Sequence, residues 1–235
     1  MSHGCQLYEP RTAPYWQSTV SYAVLVIAVE DRPPLRADAA RNVDRILRAA
    51  REVYGDVGAD APIEAVARRA GVGERTLYRR FPTKGELVRA ALDQSIAENL
   101  TPVIDAAVGR TDPLHGITEL LHAAIELGAR ERSLLTAAHR AGSLTPDVSD
   151  ALDEALRGLV RRGQQAGRVR ADLVADDLPR LIAMLYSVLS TMDSGSDGWR
   201  RYVALTIDAI STDGHQPLPP APAFCYESAP NSWPL

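Results

Sequence analysis

Residues 62–81 read PIEAVARRAGVGERTLYRRF. Ile63, Val66, Ala67 and Ala70 share one face of a short helix, and Pro62 suits its first turn. Gly71-Val72-Gly73 breaks that helix, because a residue without a Cβ can take the backbone angle that ends it. A second short helix, about Glu74 to Arg80, follows at once and stops at Pro82. Ala67 and Ala70 are small enough to let the two helices cross closely, and Val72, Leu77 and Phe81 bury one side of the second. The layout is that of a helix-turn-helix. Gly73, Glu74, Arg75, Thr76, Tyr78 and Arg79 are left at the N-terminal end and outer face of the second helix, where a recognition helix meets the major groove.

The rest of the chain reads as further helices around this motif. Before it, Val43, Ile46, Leu47, Ala50, Val53 and Tyr54 recur at helical steps from Ala37 until Gly55 and Gly58. After it, Thr83 can cap a long helix that carries Leu87, Val88, Ala91, Leu92, Ser95 and Ile96 and ends before Pro102. Further helices start at Asp112-Pro113 and at Thr145-Pro146, the latter stopping near Gly167. Leu178–Met192 and Trp199–Ile210 are the last two, both strongly apolar. The expected fold is all-α, with a head over 36–92, a larger helical body over 93–211, and a tail over 212–235 holding six prolines.

Charge separates the same segments. The 235-residue chain carries a net −4, which taken alone argues against nucleic acid. Residues 36–92, however, hold 12 basic against 8 acidic side chains (+4), while residues 93–235 hold 12 against 19 (−7). Residues 1–35 hold 2 against 3 and read as a poorly ordered extension, or as lying upstream of the natural start. Their apolar run, Ala23–Val29, is far short of the ~20 residues needed to cross a bilayer, and Glu9 spoils a signal peptide, so a cytoplasmic protein is expected. Cys5 and Cys225 cannot make a disulfide framework.

The runs Ala-Gly-Val-Gly at 70–73, Thr-Leu-Tyr-Arg-Arg-Phe at 76–81 and Pro-Thr-Lys-Gly-Glu-Leu at 82–87 resemble the tetracycline-repressor (TetR) family of bacterial regulators, and the resemblance extends over about Leu35 to Leu92. It implies phosphate contacts at Thr76, Tyr78 and Lys84. Chemistry agrees, since the hydroxyls can donate to phosphate oxygens and the charge of Lys84 stands at a helix N-terminus. Lys84 is also the one lysine of the chain. Arg75 is the best base reader, because a guanidinium can pair bidentately with guanine. Arg79 and Arg41 are second candidates for phosphate. Where the family commonly has a Thr at the start of the second helix, this chain has Ala61-Pro62-Ile63, so a contact there falls to a backbone N–H such as that of Ile63. Glu74 either accepts from a cytosine amino group or orients Arg75. As the ordinary alternative, Arg68, Arg69, Arg79 and Arg80 form a solvated face and Tyr78 is a half-buried core aromatic. Gly71-x-Gly73 follows a helix, not a strand, and is no dinucleotide loop.

The acidic body implies, by the same resemblance, a pocket for a small effector and a dimer interface. His122, His139 and Arg140 are candidate polar anchors of the pocket, each with a purely structural alternative. Leu181, Leu185, Val203 and Ile207 are candidates for a two-fold interface with a second copy. An enzyme is the rival class, but the chain has no nucleophile elbow, P-loop, His-Glu-x-x-His or Cys-x-x-Cys. His3, His115, His122, His139 and His215 lack metal-ligand spacing, so no metal or cofactor is expected. A helical interaction module acting on a metabolite would leave the 71–87 run unexplained. The sequence therefore predicts a homodimeric, sequence-specific regulator of transcription, a repressor released by a small ligand from a near-palindromic double-stranded operator.

Overall fold

A computed structural model describes residues 33–144, 150–193, 195–212 and 218–219. The chain divides between Val43 and Asp44 into two compact units. Of the first, the described residues 33–43 are the opening of helix α1 (Pro33–Val57). The second continues α1 and adds α2 (Ile63–Ala70), α3 (Glu74–Arg80), α4 (Lys84–Asn99), α5 (Thr101–Val108), α6 (Pro113–Arg130), α7 (Arg132–Arg140), α8 (Asp150–Gln165), α9 (Asp177–Leu189) and α10 (Trp199–Ile210). No strand occurs among the described residues, only a single bridge between Val169 and Ser211.

The predicted caps work as their chemistry demands. The Thr83 hydroxyl accepts from the Glu86 N–H at 3.1 Å, and the Asp112 carboxylate from the Leu114 N–H at 3.0 Å. Gly71 takes φ +65°, which lets its own N–H reach the Arg68 carbonyl and the Val72 N–H reach that of Ala67. This doubly bonded exit turns the chain sharply from α2 into α3.

Two helices depart from the sequence reading. Pro102 does end α4, but it also lies in the first turn of a new helix, α5, where its missing N–H costs nothing. α7 was not anticipated; only Glu131 separates it from α6. The start expected at Thr145-Pro146 lies outside the described residues, and α8 is observed from Asp150. Most of the 1–35 and 212–235 segments also lie outside them.

Helix α6 is central to the body, touching α5, α8, α9 and α10. Its Ile117, Leu120, Leu121, Ala124 and Ile125 are buried among Leu156 and Leu159 of α8, Leu178 and Ile182 of α9 and Val203 of α10. Gly128 permits the closest approach. The Tyr186 ring of α9 lies so near that a Cβ on Gly128 would overlap the ring edge, and the Tyr186 hydroxyl donates to the Ala124 carbonyl at 3.0 Å. Around α2 and α3, buried Ile46, Ala50, Val53 and Tyr54 of α1 accompany Val66, Leu77, Phe81 and Leu87.

Candidate nucleic-acid interface

The surface of the 62–84 segment is built on the α2–α3 pair. Ile63 anchors α2 with its side chain buried, leaving its backbone at the helix N-terminus. Leu77 and Phe81 hold α3 down, as expected, with Val72 half-buried beside them. Gly73 precedes α3 with φ −69°, an ordinary extended conformation, and nothing lies within 4 Å of where its Cβ would be. Neither backbone strain nor packing calls for glycine there; its effect is to leave the N-terminus of α3 uncovered.

Arg75 and Arg79 are exposed and make no ion pair among the described residues. Thr76 is half-buried between them. Tyr78 is 41% exposed, so it is no core aromatic. Its hydroxyl donates to Glu64 Oε1 of α2 at 2.8 Å. A local backbone N–H and the Tyr78 hydroxyl hold the Glu64 carboxyl below its usual range, and the same hydrogen bond raises the Tyr78 phenol above its own. Lys84, half-buried at the start of α4, donates from Nζ to the carbonyls of Ala59 (3.2 Å) and Ala61 (3.1 Å) and stands 5.3 Å from the centre of the Tyr54 ring. Arg41 is exposed on the opening of α1, in the first compact unit.

The neighbouring arginines are occupied differently. Arg69 bridges Glu52 and Asp56 of α1, each at 2.9 Å. Arg80 lies over the Phe81 ring at 5.6 Å, and Arg68 is exposed.

In the body, the pocket candidates lie on two successive helices, His122 on α6 and His139 and Arg140 on α7. His122 on α6 is half-buried beside Trp199, ring centres 5.8 Å apart, and its Nδ1 has no hydrogen-bond partner among the described residues. Burial, followed by the charge of Arg200, pushes the His122 pKa down. His139 is half-buried on α7, whereas Arg140 is exposed and pairs with Asp60 in the α1–α2 loop at 2.8 Å. The candidate interface residues separate. Leu185 and Val203 are buried in the subunit's own core, with Leu181 and Ile207 packed half-buried against it. The large apolar side chains that α9 and α10 expose are Met184, Tyr202 and Leu205.

One constellation escaped the sequence reading. Glu131, at the α6–α7 junction, is buried and accepts from Ser95 Oγ of α4 at 2.6 Å and from Arg51 Nε of α1 at 2.9 Å. Arg51 also donates to Glu98 at 2.7 Å. A buried carboxylate demands such partners, but nothing in the spacing of Arg51, Ser95 and Glu131 announces them. Among the described residues no cluster of potential metal ligands occurs, and no helix is long and apolar enough to cross a membrane.

Comparison with known proteins adds independent findings. The model for bacterial regulatory proteins of the tetR family matches residues 46–91, and that for the C-terminal domain of SbtR-like transcriptional regulators matches residues 112–211. An uncharacterized HTH-type transcriptional regulator of Mycobacterium tuberculosis is 40% identical over 67 residues, 28% of this chain and 35% of that protein. The match thus spans about a third of the length of the curated relatives. A TetR transcriptional regulator of Streptomyces coelicolor has a solved structure that is 27% identical with a TM-score of 0.55, covering 73% of this chain and 99% of that one. A TetR regulatory protein of Mycobacterium vanbaalenii is 28% identical at a TM-score of 0.55, covering 76% and 99%.

Proposed function

The chain belongs to the TetR family of transcriptional regulators, which are not enzymes, and from that premise we propose that it is a homodimeric repressor released from its operator by a small molecule. In this reading residues 36–92 are the DNA-binding head and 93–211 the effector-binding and dimerising body. Arg75 reads a base edge. Thr76, Tyr78, Arg79, Lys84 and Arg41 contact phosphates, with the backbone at Ile63 and Gly73 approaching the duplex closely.

The observation that carries the reading is the uncovered, basic face of α3, where exposed Arg75 and Arg79 flank Thr76 and stand beside Tyr78 with no acidic partner among the described residues. Other arginines of the same segment, such as Arg51 and Arg69, are engaged by carboxylates. Unpaired cations on one helix face are what a polyanion neutralises.

Selection of bound sequences from a random duplex pool tests this. The enriched pool is expected to carry an inverted repeat with half-sites about one helical turn, or a multiple of it, apart. Affinity for it should fall with salt, the slope growing by about 0.9 per phosphate contact. Arg75→Ala should relax the preference at one base position in each half-site. A pool that shows no enrichment over rounds of selection would sink the proposal.

A further inference from the structure

We propose that Glu64 is a resident stand-in for a DNA phosphate, occupying the Tyr78 hydroxyl in the free protein and yielding it to a phosphate oxygen when duplex binds. The inference rests on the reading of α3 and the start of α4 as the DNA interface.

The Tyr78 phenol has one O–H, and at 2.8 Å it is directed at Glu64 Oε1. In that state the oxygen offers only lone pairs to an approaching phosphate, which repels them. For Tyr78 to donate to DNA, the carboxylate must give up the hydrogen bond it accepts. The exchange replaces one O–H···O⁻ bond by another, so the hydrogen bond nearly cancels. It leaves an ionised carboxylate beside an incoming phosphate, and that repulsion does not cancel.

Glu64 is well placed for the role. It is the second residue of α2, whose N-terminus is where a backbone donor such as Ile63 N–H has to serve in place of a threonine. Its carboxylate stands there already and is held ionised by a local N–H and by Tyr78. The charge of Glu74, at the start of α3, also acts on the Tyr78 phenol and adds to the negative field around it. Because phosphates are alike along the duplex, an exchange of this kind lowers affinity for every sequence and leaves the preference among sequences unchanged.

Glu64→Gln keeps the shape and removes the charge. Binding of wild type, E64Q, Y78F and the double variant is measured against a random-sequence duplex and against the duplex enriched by selection, over a range of salt. E64Q is expected to tighten binding to both duplexes by about fivefold at low salt, the scale of one unit charge near another in water. Its salt slope should steepen by up to about 0.9. Y78F should cost at most about twofold in the wild-type background and about fivefold beside E64Q, where the neutral amide oxygen holds the hydroxyl less strongly than the carboxylate does, so that exchange for a phosphate oxygen is a net gain. Glu64→Ala should change affinity in the same direction as E64Q.

If instead Glu64 merely props the Tyr78 ring in its DNA-contacting pose, E64Q and E64A weaken binding, and the proposal is overturned. Equal costs for Y78F in the two backgrounds would also overturn it. Wild-type protein that binds neither duplex removes the DNA-interface reading itself, a failure distinct from wild type binding with E64Q unchanged.

Discussion

Two of the three N–H bonds of the Lys84 ammonium are directed inward, to the carbonyls of Ala59 and Ala61, and the Tyr54 ring lies beneath the charge. The Tyr54 phenol is buried without a hydrogen-bond partner among the described residues, and burial pushes its pKa up to about 12. A lysine read from sequence as a phosphate contact is thus also a clasp on the loop that leads into α2. Lys84→Ala is expected to lower the free energy of urea unfolding by about 1–2 kcal/mol, from two carbonyl hydrogen bonds and a cation–π contact. A side chain that served DNA alone would leave the urea midpoint where it was. At this scale the residues on the α3 face were legible, because a run of residue types at fixed spacing specifies them. The groups that hold them were not. Glu64 lies 14 residues from Tyr78, and their meeting depends on how α2 crosses α3.

Among the elements, the α6–α9 contact is the most exacting. With Gly128 replaced by alanine, the Tyr186 ring has to move and its bond to the Ala124 carbonyl is put at risk. Gly128→Ala should destabilise the protein by about 2–3 kcal/mol, the usual scale of overpacking. A second substitution, Tyr186→Leu, should recover part of the loss in the same urea titration; full stability in the single variant would show that the ring does not need its place. Most helices were legible from apolar periodicity and caps. The two that were not, α5 and α7, follow their predecessors with one residue between them. A proline that stops one helix can open another, and a glutamate between two apolar stripes carries no sign of a bend. The break falls at Glu131 (φ −98°, ψ 20°), whose carboxylate is held by distant partners, Ser95 and Arg51.

For the whole molecule, hydrophobicity alone misplaced the outer face. Leu185 and Val203 are apolar enough to suit an interface, but α6 takes them into the subunit's own core. Which stripe of α9 and α10 remains outside depends on how α6 packs, and it is the stripe bearing Met184, Tyr202 and Leu205. In the proposed homodimer these exposed residues are the surface offered to a second copy. Met184→Glu combined with Leu205→Glu should convert a dimer into monomers in sedimentation without disturbing the fold, since both side chains are exposed. Affinity for an inverted-repeat duplex should then fall by about a hundredfold, as two linked heads become two separate ones. An unchanged sedimentation coefficient would move the interface elsewhere.

With one lysine in 235 residues, a protease that cuts only after lysine has a single target, the Lys84–Gly85 bond. That bond is the first of α4, and a Cβ on Gly85 would stand 3.5 Å from that of Ala141, just past the end of α7. Cleavage there requires the first turn of α4 to lift from its neighbours, an opening of one part of the molecule while the remainder stays folded. Digestion therefore reports on a single event. It yields two fragments, residues 1–84 and 85–235, at a rate set by how often that turn comes free.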